Sequence, residues 1–438
     1  MLKESKKDKL KILVVTYDYY PDDSPNTYRW KNVLRAWAER EDAEIFVVCA
    51  SKGNLLDFEL VDGVKIYRTG RSLFEKVKSK ILKHSITENN AISKVDTGIA
   101  QEGLIRKVYN LTWKKLYFPD HAFLWLSPAM KMAEKLIKGE NITHLITVSW
   151  PFTDHVVGYK LKQKYNIQWI ADTIDPFYLS KALNNTALYD SKSYRLENKI
   201  LKKADTITVL TDKLKEKYAV LYPAIADKIV VNHNLFVPVE VPENNTKSRK
   251  IKLVFVGTVV PVVRSPEYLL ELFNNLVNLN EDGCELELHF YGNTTQCNDV
   301  FAKYDFLLNK SLFIHGMTSR ENIPGILSNA SVLVNIGNSN TYQEPSKIIE
   351  YIYLGKPILN VCSITEDSSK EVLAKYPLHF NIYKDEVHDK LKLNELFSFF
   401  KNGTTLDKDV IMKIIWKYLL PQVEQNYFNL LKKKKNFN

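Results

Sequence analysis

Short apolar runs alternate with longer stretches of helical spacing along most of this 438-residue chain. Runs rich in β-branched residues and bounded by polar loops mark strands buried on both faces, as in a parallel sheet. The first covers Lys11 to Tyr17 and leads into a Pro- and Asp-rich loop from Pro21 to Asn26. Trp30, Val33, Leu34 and Trp37 then recur at helical spacing. Strands are predicted at Glu44 to Ala50 and Val64 to Arg68, then at Thr143 to Ser149, Trp169 to Asp175, Thr206 to Leu210 and Lys228 to Asn232. Helices are predicted over Thr153 to Lys164 and Ser191 to Lys203. Strand, loop, helix and strand in this order imply a doubly wound parallel sheet.

Between Pro238 and Lys250 the period disappears, which predicts a linker. A second alternating set follows, with strands at Lys252 to Thr258, Glu285 to Gly292, Ser311 to Gly316, Val332 to Ile336 and Ile358 to Cys362. The expected organisation is a domain over 1–237, a linker over 238–250, a second domain over 251–406, and a C-terminal helix with a basic tail over 407–438. The helical pattern after Asp407 is expected to break at Pro421. Two such halves joined by a linker predict a cleft, the usual place for a ligand.

Composition changes this picture in one place. Hydrophobic residues at 45 % and charged residues at 26 % suit ordinary globular cores, while a net charge of +10 suits anionic partners. Twelve Lys or Arg against four Asp or Glu between Val64 and Phe118 put +8 of that charge into one stretch. There Phe74, Ile81, Tyr109 and Trp113 are interleaved with Lys76, Lys80, Lys107, Lys114 and Lys115. The stretch from about 70 to 120 is therefore an insertion with two readings. It packs on its own domain with a solvated basic face, or it lies in an anionic membrane interface. Because the charge is not laid along a motif helix, nucleic acid is not expected as a partner. Cys49, Cys284, Cys297 and Cys362 show no metal or redox spacing, which predicts reduced thiols. The polar start of the chain lacks the apolar core of a signal peptide, and no window suits a spanning helix. The expected location is cytoplasmic, with peripheral attachment to the inner face of the plasma membrane left open.

Candidate chemistry gathers around Pro345. After the strand at Val332 to Ile336, Pro345 is expected to open a helix that Gly355 and Pro357 end. Such a helix start offers free N–H groups to an anion, and Ser346 and Lys347 add a hydroxyl and an ammonium. Glu350, one turn on, shares their face and can take ribose hydroxyls. Gly257 ends a strand and Arg264 follows in its loop, a close-approach residue with a phosphate clamp. Gly292 and Gly316 end strands at the same sheet edge.

In the first half, Asp22, Asn26 and Arg29 follow the first strand at its carboxyl end, where doubly wound sheets bind ligands. The glycines of a dinucleotide fingerprint are missing there, which argues against a nicotinamide cofactor. His155 opens the helix after Ser149 and can donate to a sugar hydroxyl or a phosphate. Asp172 and Asp175 end the next strand and can orient that histidine or bind hydroxyls; a purely structural role for His155 stays open. No D-x-D falls at a strand end, so no metal is expected; Arg264, Lys347 and helix N-termini would meet a diphosphate's charge.

Together these residues carry a resemblance. Lys11 to Tyr17 with Arg29 and Trp30, Phe118 to Trp125, Ser149 to His155, Trp169 to Pro176, and Ala204-Asp205 look like the N-terminal half of the retaining family 4 glycosyltransferases. Pro345-Ser346-Lys347, Glu350-Tyr351 and Gly355-Lys356-Pro357 resemble that family's nucleotide-sugar segment, so the likeness spans nearly the whole chain. It implies an α/β chain of the GT-B fold: two doubly wound Rossmann-like domains facing across a cleft, with a C-terminal helix crossing back. The donor would bind the C-terminal domain through Gly257, Arg264, Ser346, Lys347 and Glu350, the last on the ribose. The acceptor would meet Asp22, Asn26 and Arg29, with His155 and Asp175 at the chemistry. The family's second acidic residue falls on Tyr342 here; Glu344 is nearby, out of register, and is its stand-in on the donor. The implied reaction moves a sugar from a nucleotide diphosphate sugar to a glycan or lipid-linked acceptor with retention, as in surface polysaccharide biosynthesis, with no metal and no cofactor beyond the co-substrate. A nucleotide-sugar epimerase of the same fold and a non-catalytic nucleotide-sugar-binding subunit are the alternatives.

Overall fold

The computed structural model describes residues 9–22, 24–70, 117–180, 186–242, 250–279, 284–402 and 404–433. The body of the basic insertion, with Lys107, Lys114 and Lys115, lies outside the described residues, as do the last two of the four tail lysines. The chain forms two compact units. The first comprises Met1–Leu210, Lys215–Asn232 and Glu424–Asn438; the second comprises Thr211–Leu214 and His233–Val423.

Unit 1 is built on strands β1 (Leu10–Val15), β2 (Ala43–Ala50), β3 (Phe58–Val61), β4 (Val64–Thr69), β5 (His144–Ser149), β6 (Gln168–Thr173), β7 (Thr206–Val209) and β8 (Ile229–Val231). They are arranged β3-β4-β2-β1-β5-β6-β7-β8, and every pairing is parallel except β3 with β4. The expected strands are all present within a few residues. The antiparallel edge strand β3 is an addition, because Phe58 and Leu60 face outward and its pattern lacks a buried run. The central strands are apolar on both faces, with Ile12, Leu13, Val14 and Val15 all buried, as a sheet covered by helices on both sides requires.

Unit 2 is built on β9 (Ile251–Val256), β10 (Leu286–Tyr291), β11 (Leu312–Gly316), β12 (Val332–Ile336), β13 (Ile358–Cys362) and β14 (His379–Tyr383). Their order is β11-β10-β9-β12-β13-β14, all parallel. Alternate residues feed two cores. Leu253, Phe255, Leu288, Phe290, Val332 and Val334 pack with the helix Glu267–Leu279 on one face. Val254, Val256, Leu333 and Ile358 pack with Ile348, Ile349 and Ile352 on the other. At about 1.5–3 kcal/mol for each large apolar side chain removed from water, these two layers outweigh any single polar contact described below.

Two expectations change at the helix ends. The helix after β12 begins at Lys347, not at Pro345; Ser346 is its N-cap residue, makes no side-chain capping bond, and the helix spans only 7 residues. Gly355 ends it with φ +68°, and a Cβ there would come within 2.8 Å of Ile411 Cδ1, so the sharp exit needs glycine. Pro421 does not break the C-terminal helix. The chain turns earlier, at Trp416–Tyr418, and Pro421 lies in the first turn of the next helix, Leu420–Lys432, where a missing N–H costs nothing. From Glu424 onward that helix belongs to unit 1, where Trp37 Nε1 donates to Glu424 Oε2 at 2.9 Å.

Candidate functional site

In unit 2 Gly257, Arg264, Ser346, Lys347 and Glu350 follow strands that end at the carboxyl edge of the sheet. Gly257 donates its N–H to Tyr291 O at 2.8 Å, and Gly292 donates to Gly316 O at 2.7 Å, so the ends of β9, β10 and β11 are tied backbone to backbone. A Cβ on Gly292, whose φ is +131°, would lie 2.1 Å from Gly257 O; only glycine allows this closeness. After Gly257 the chain closes a small hairpin through paired backbone bonds between Val260 and Arg264, at 3.0 and 2.9 Å. That turn brings Arg264 back over the edge, with Nη1 3.7 Å from where a Gly257 Cβ would stand. Its Nε and Nη2 both donate to Asn338 Oδ1, at 3.2 and 2.9 Å. Burial lowers the pKa of this guanidinium, against opposing pulls from Tyr351 and Asp367.

Lys347 and Glu350 lie on the helix after β12 and are ion-paired with each other, Nζ to Oε2 2.6 Å. The pair is partly exposed, with side-chain exposures of 28 % and 21 %, so an incoming ligand can reach both groups. Ser346 beside them is exposed. Arg264, Ser346, Lys347 and Glu350 thus stand on loops and a helix start that follow the neighbouring strands β9 and β12.

Glu344 has a different setting. Its Oε1 is buried without a hydrogen-bond partner, Tyr418 binds the carboxyl group, and burial raises the pKa to about 7 despite Lys417 nearby. It lines a small cavity of about 40 Å³ with His233, Ser368 and Lys417. The neighbouring Tyr342 is buried, and its carbonyl accepts from Thr211 Oγ1 at 2.9 Å.

In unit 1 the same edge rule places residues less uniformly. Asp22 and Asn26 remain partly exposed after β1. The Asp22 carboxylate shares Lys52 Nζ with Asp18, each at 2.5 Å, and Asn26 makes a long 3.4 Å contact to Ser149 O. Burial would lower the Lys52 pKa, but its two carboxylate partners raise it overall. Asp175 is half-buried after β6, and its carbonyl accepts from Ser149 Oγ at 2.9 Å.

Arg29 and His155 are not at the surface, which corrects both expectations. Arg29 is 4 % exposed and donates to Tyr427 Oη at 2.9 Å and to Asn232 O at 2.9 Å. Tyr427 in turn donates to Asp172 Oδ1 at 2.6 Å, and Asp172 also accepts from Thr208 at 2.6 Å and Trp30 at 2.8 Å. This buried network fastens the C-terminal helix into unit 1 and leaves Arg29 no face for an acceptor. His155 is wholly buried, held by Thr147 at Nδ1 (2.7 Å) and Thr173 at Nε2 (3.2 Å); neither Asp172 nor Asp175 orients it. Burial pushes its pKa down to about 3, so the ring is neutral at physiological pH.

Two groups the sequence did not single out stand at this edge. His121 is exposed, with Tyr17 edge-on at 5.4 Å between ring centroids and Trp150 at 6.2 Å. Asp120 before it is buried and accepts from Ala122 N, Thr153 N and Thr153 Oγ1, which pins this segment to the helix after β5. Their signal was the Pro119-Asp120-His121 segment itself, noted only for its resemblance. Among the described residues, no group of three or more His, Cys, Asp or Glu is placed to hold a metal ion. No described helix is long and apolar enough to cross a membrane.

No protein-family model and no curated protein matches the chain. Solved structures do. Sucrose-phosphate synthase from Thermosynechococcus elongatus is 13 % identical with a TM-score of 0.62, over 96 % of this chain and 98 % of that one. HepE of Anabaena, solved in complex with UDP-glucose, is 11 % identical with a TM-score of 0.58, over 96 % and 99 %. A glycosyltransferase from Rickettsia africae is 11 % identical with a TM-score of 0.57, over 97 % and 98 %. Identities this low speak to architecture alone, and they cover nearly all of both chains in each pair. The two parallel-sheet units of this chain are those of the GT-B fold that these glycosyltransferases share.

Proposed function

We propose that this protein transfers a sugar from a nucleoside diphosphate sugar to a glycan or lipid-linked acceptor. The observation that carries the reading is the set at the carboxyl edge of unit 2. An oriented arginine stands beside glycine-ended strands, and a lysine and a glutamate share one helix start on the adjacent loop. That is the chemistry of a diphosphate with a ribose attached: cations for the phosphates, a carboxylate to accept from the ribose hydroxyls. The binding of UDP-glucose by HepE, which has the same fold, supports a nucleotide sugar as the ligand.

In this reading Glu350 holds the ribose, Arg264 and Lys347 hold the diphosphate, and Ser346 donates to it. Lys347 exchanges its pairing with Glu350 for the phosphates when donor binds. The bond between the anomeric carbon and the diphosphate oxygen breaks, and the acceptor oxygen forms the new bond on the same face. The acceptor proton passes to the departing phosphate oxygen. Arg264 and Lys347 stabilise the charge that builds on that leaving group, which makes the transfer independent of metal. The acceptor is taken by unit 1 at Asp22 and Asn26, with Asp175 at the adjoining strand end. A surface polysaccharide or its lipid-linked precursor is the class of product. Attachment of the basic insertion to an anionic membrane fits a lipid-linked acceptor. Vesicles of phosphatidylglycerol should then bind the protein and lose it when Lys107, Lys114 and Lys115 are changed to Gln.

The deciding experiment is a thermal-shift panel of UDP-, GDP-, dTDP- and CMP-sugars, since a ligand of the folded state adds stability that grows with the logarithm of its concentration over its dissociation constant. One nucleotide class should raise the melting temperature, and a Glu350→Ala variant should lose the shift. A panel without any shift would sink the reading. Conversion of the donor sugar with no acceptor present would turn it into that of an epimerase.

A further inference from the structure

The loops after β9 and β12 are joined by more than the arginine contact. Ser339 donates its N–H to Val263 O at 2.8 Å and its hydroxyl to Val262 O at 2.7 Å. Beside it, the buried Asn338 makes bonds in two directions. Its Oδ1 takes Nε and Nη2 of Arg264, and its Nδ2 donates to Gln343 O at 2.8 Å. Gln343 O also receives Ser368 Oγ at 2.6 Å. The amide can be oriented only one way, because a guanidinium offers donors alone and a carbonyl accepts alone. One side chain therefore fixes the guanidinium plane and the segment leading to Ser346, Lys347 and Glu350.

The chemical type of this anchor matters as much as its place. A carboxylate could accept the same two N–H bonds, but it would neutralise the arginine and could not donate to Gln343 O. A neutral amide orients the guanidinium and leaves its whole charge for an anion. A carboxylate that acts on Arg264 from nearby, Asp367, is buried and is not hydrogen-bonded to it: its Oδ1 accepts from Ser369 N at 2.7 Å and its Oδ2 has no hydrogen-bond partner.

We infer that Asn338 is a positioning residue for the diphosphate: it aims Arg264 at the ligand, without discharging it, and couples that aim to the loop carrying Lys347 and Glu350. The inference rests on the nucleotide-sugar reading above. It predicts that changes at Asn338 act on recognition of phosphate and not on recognition of the nucleoside, because Ser368 still holds Gln343 O, and with it the segment that carries Glu350, when the amide is gone.

The test compares the affinities of UDP and uridine, and of GDP and guanosine, by NMR titration of the full chain. In the N338D variant the diphosphate-to-nucleoside affinity ratio should fall at least tenfold, while nucleoside affinity stays within twofold of wild type. N338S, too short to span both partners, should give the same loss of ratio and serves if N338D does not fold. In the R264Q background the ratio should already be low, and N338D should reduce it less than twofold further. An unchanged ratio in both Asn338 variants overturns the positioning role alone. A parallel fall in diphosphate and nucleoside affinity also overturns it, since that is what a merely structural residue would produce. Wild-type protein that binds neither diphosphate overturns the nucleotide-sugar reading together with this inference.

Discussion

The two units obey one topological rule and use it differently. In unit 2, Lys347 and Glu350 sit at the start of a 7-residue helix that leaves their charged ends within reach of solvent, while Arg264, on a short loop, is partly buried against Asn338. In unit 1, Arg29 and His155 lie inside longer helices, Pro25–Ala38 and Thr153–Lys164, on their buried faces. A residue in the first turns of a packed helix points to the core as readily as to the edge. Polar type near a strand end is therefore not enough to mark a site. What separates Lys347 and Glu350 from the unit 1 pair is that they are bonded to each other where both remain partly exposed, whereas Arg29 and His155 take their partners from the interior. Arg264, held by the buried Asn338, stands between the two cases. His155 has both ring nitrogens satisfied by threonines, and Arg29 is held within the Tyr427–Asp172 network.

That contrast can be broken most severely at Asp172. Asp172→Ala leaves Trp30, Thr208 and Tyr427 without their shared acceptor, and chemical denaturation should show a loss of about 3–5 kcal/mol. A loss below about 1 kcal/mol would mean that the network is not what secures the C-terminal helix.

His155→Ala should cost about 2–3 kcal/mol of stability from the cavity and the lost bonds, while donor affinity per folded molecule stays unchanged. Intact stability with lost turnover would return His155 to the chemistry. Because its folded pKa of about 3 lies below the ordinary 6.5, the unfolded chain takes up a proton that the fold refuses. Stability from this group is therefore lost as pH falls from about 6.5 towards 3, and the variant should show a flatter acid limb.

Glu344 has the opposite sign. Its folded pKa of about 7 lies above the ordinary 4.5, so its protonated form is favoured by the fold and stability declines as pH rises from 4.5 through 7. Glu344→Gln removes that decline. It should stabilise the protein by about 2 kcal/mol at pH 8 and by little at pH 4.5, read from melting curves at the two values. A variant less stable at pH 8 would show that the ionised carboxylate is needed.

The mildest change to the fold is Glu350→Ala. Donor affinity should fall about tenfold or more, equivalent to about 1.4 kcal/mol, with melting of the ligand-free protein within about 2 °C of wild type. Unchanged affinity would place Glu350 outside the site and remove the contrast between the units.

Strand positions, the parallel sheets and the division into two βα units were determined by the sequence alone, because an apolar run with helical spacing on either side has one economical packing. That Gly257, Arg264, Lys347 and Glu350 all follow strands at one sheet edge was also legible, since strand ends carry their loops to one edge whatever the side-chain detail. The edge strands β3 and β14 were not, because a half-exposed strand at a sheet edge leaves no continuous apolar signature. Nor could local pattern show that Arg29 and Asp172 serve a helix nearly 400 residues from Arg29, or that Asn338 stands between Arg264 and Gln343. Those assignments depend on which polar groups meet once the chain is folded. Burial decides it: a polar side chain taken out of water must find its partner among whatever the tertiary structure brings beside it.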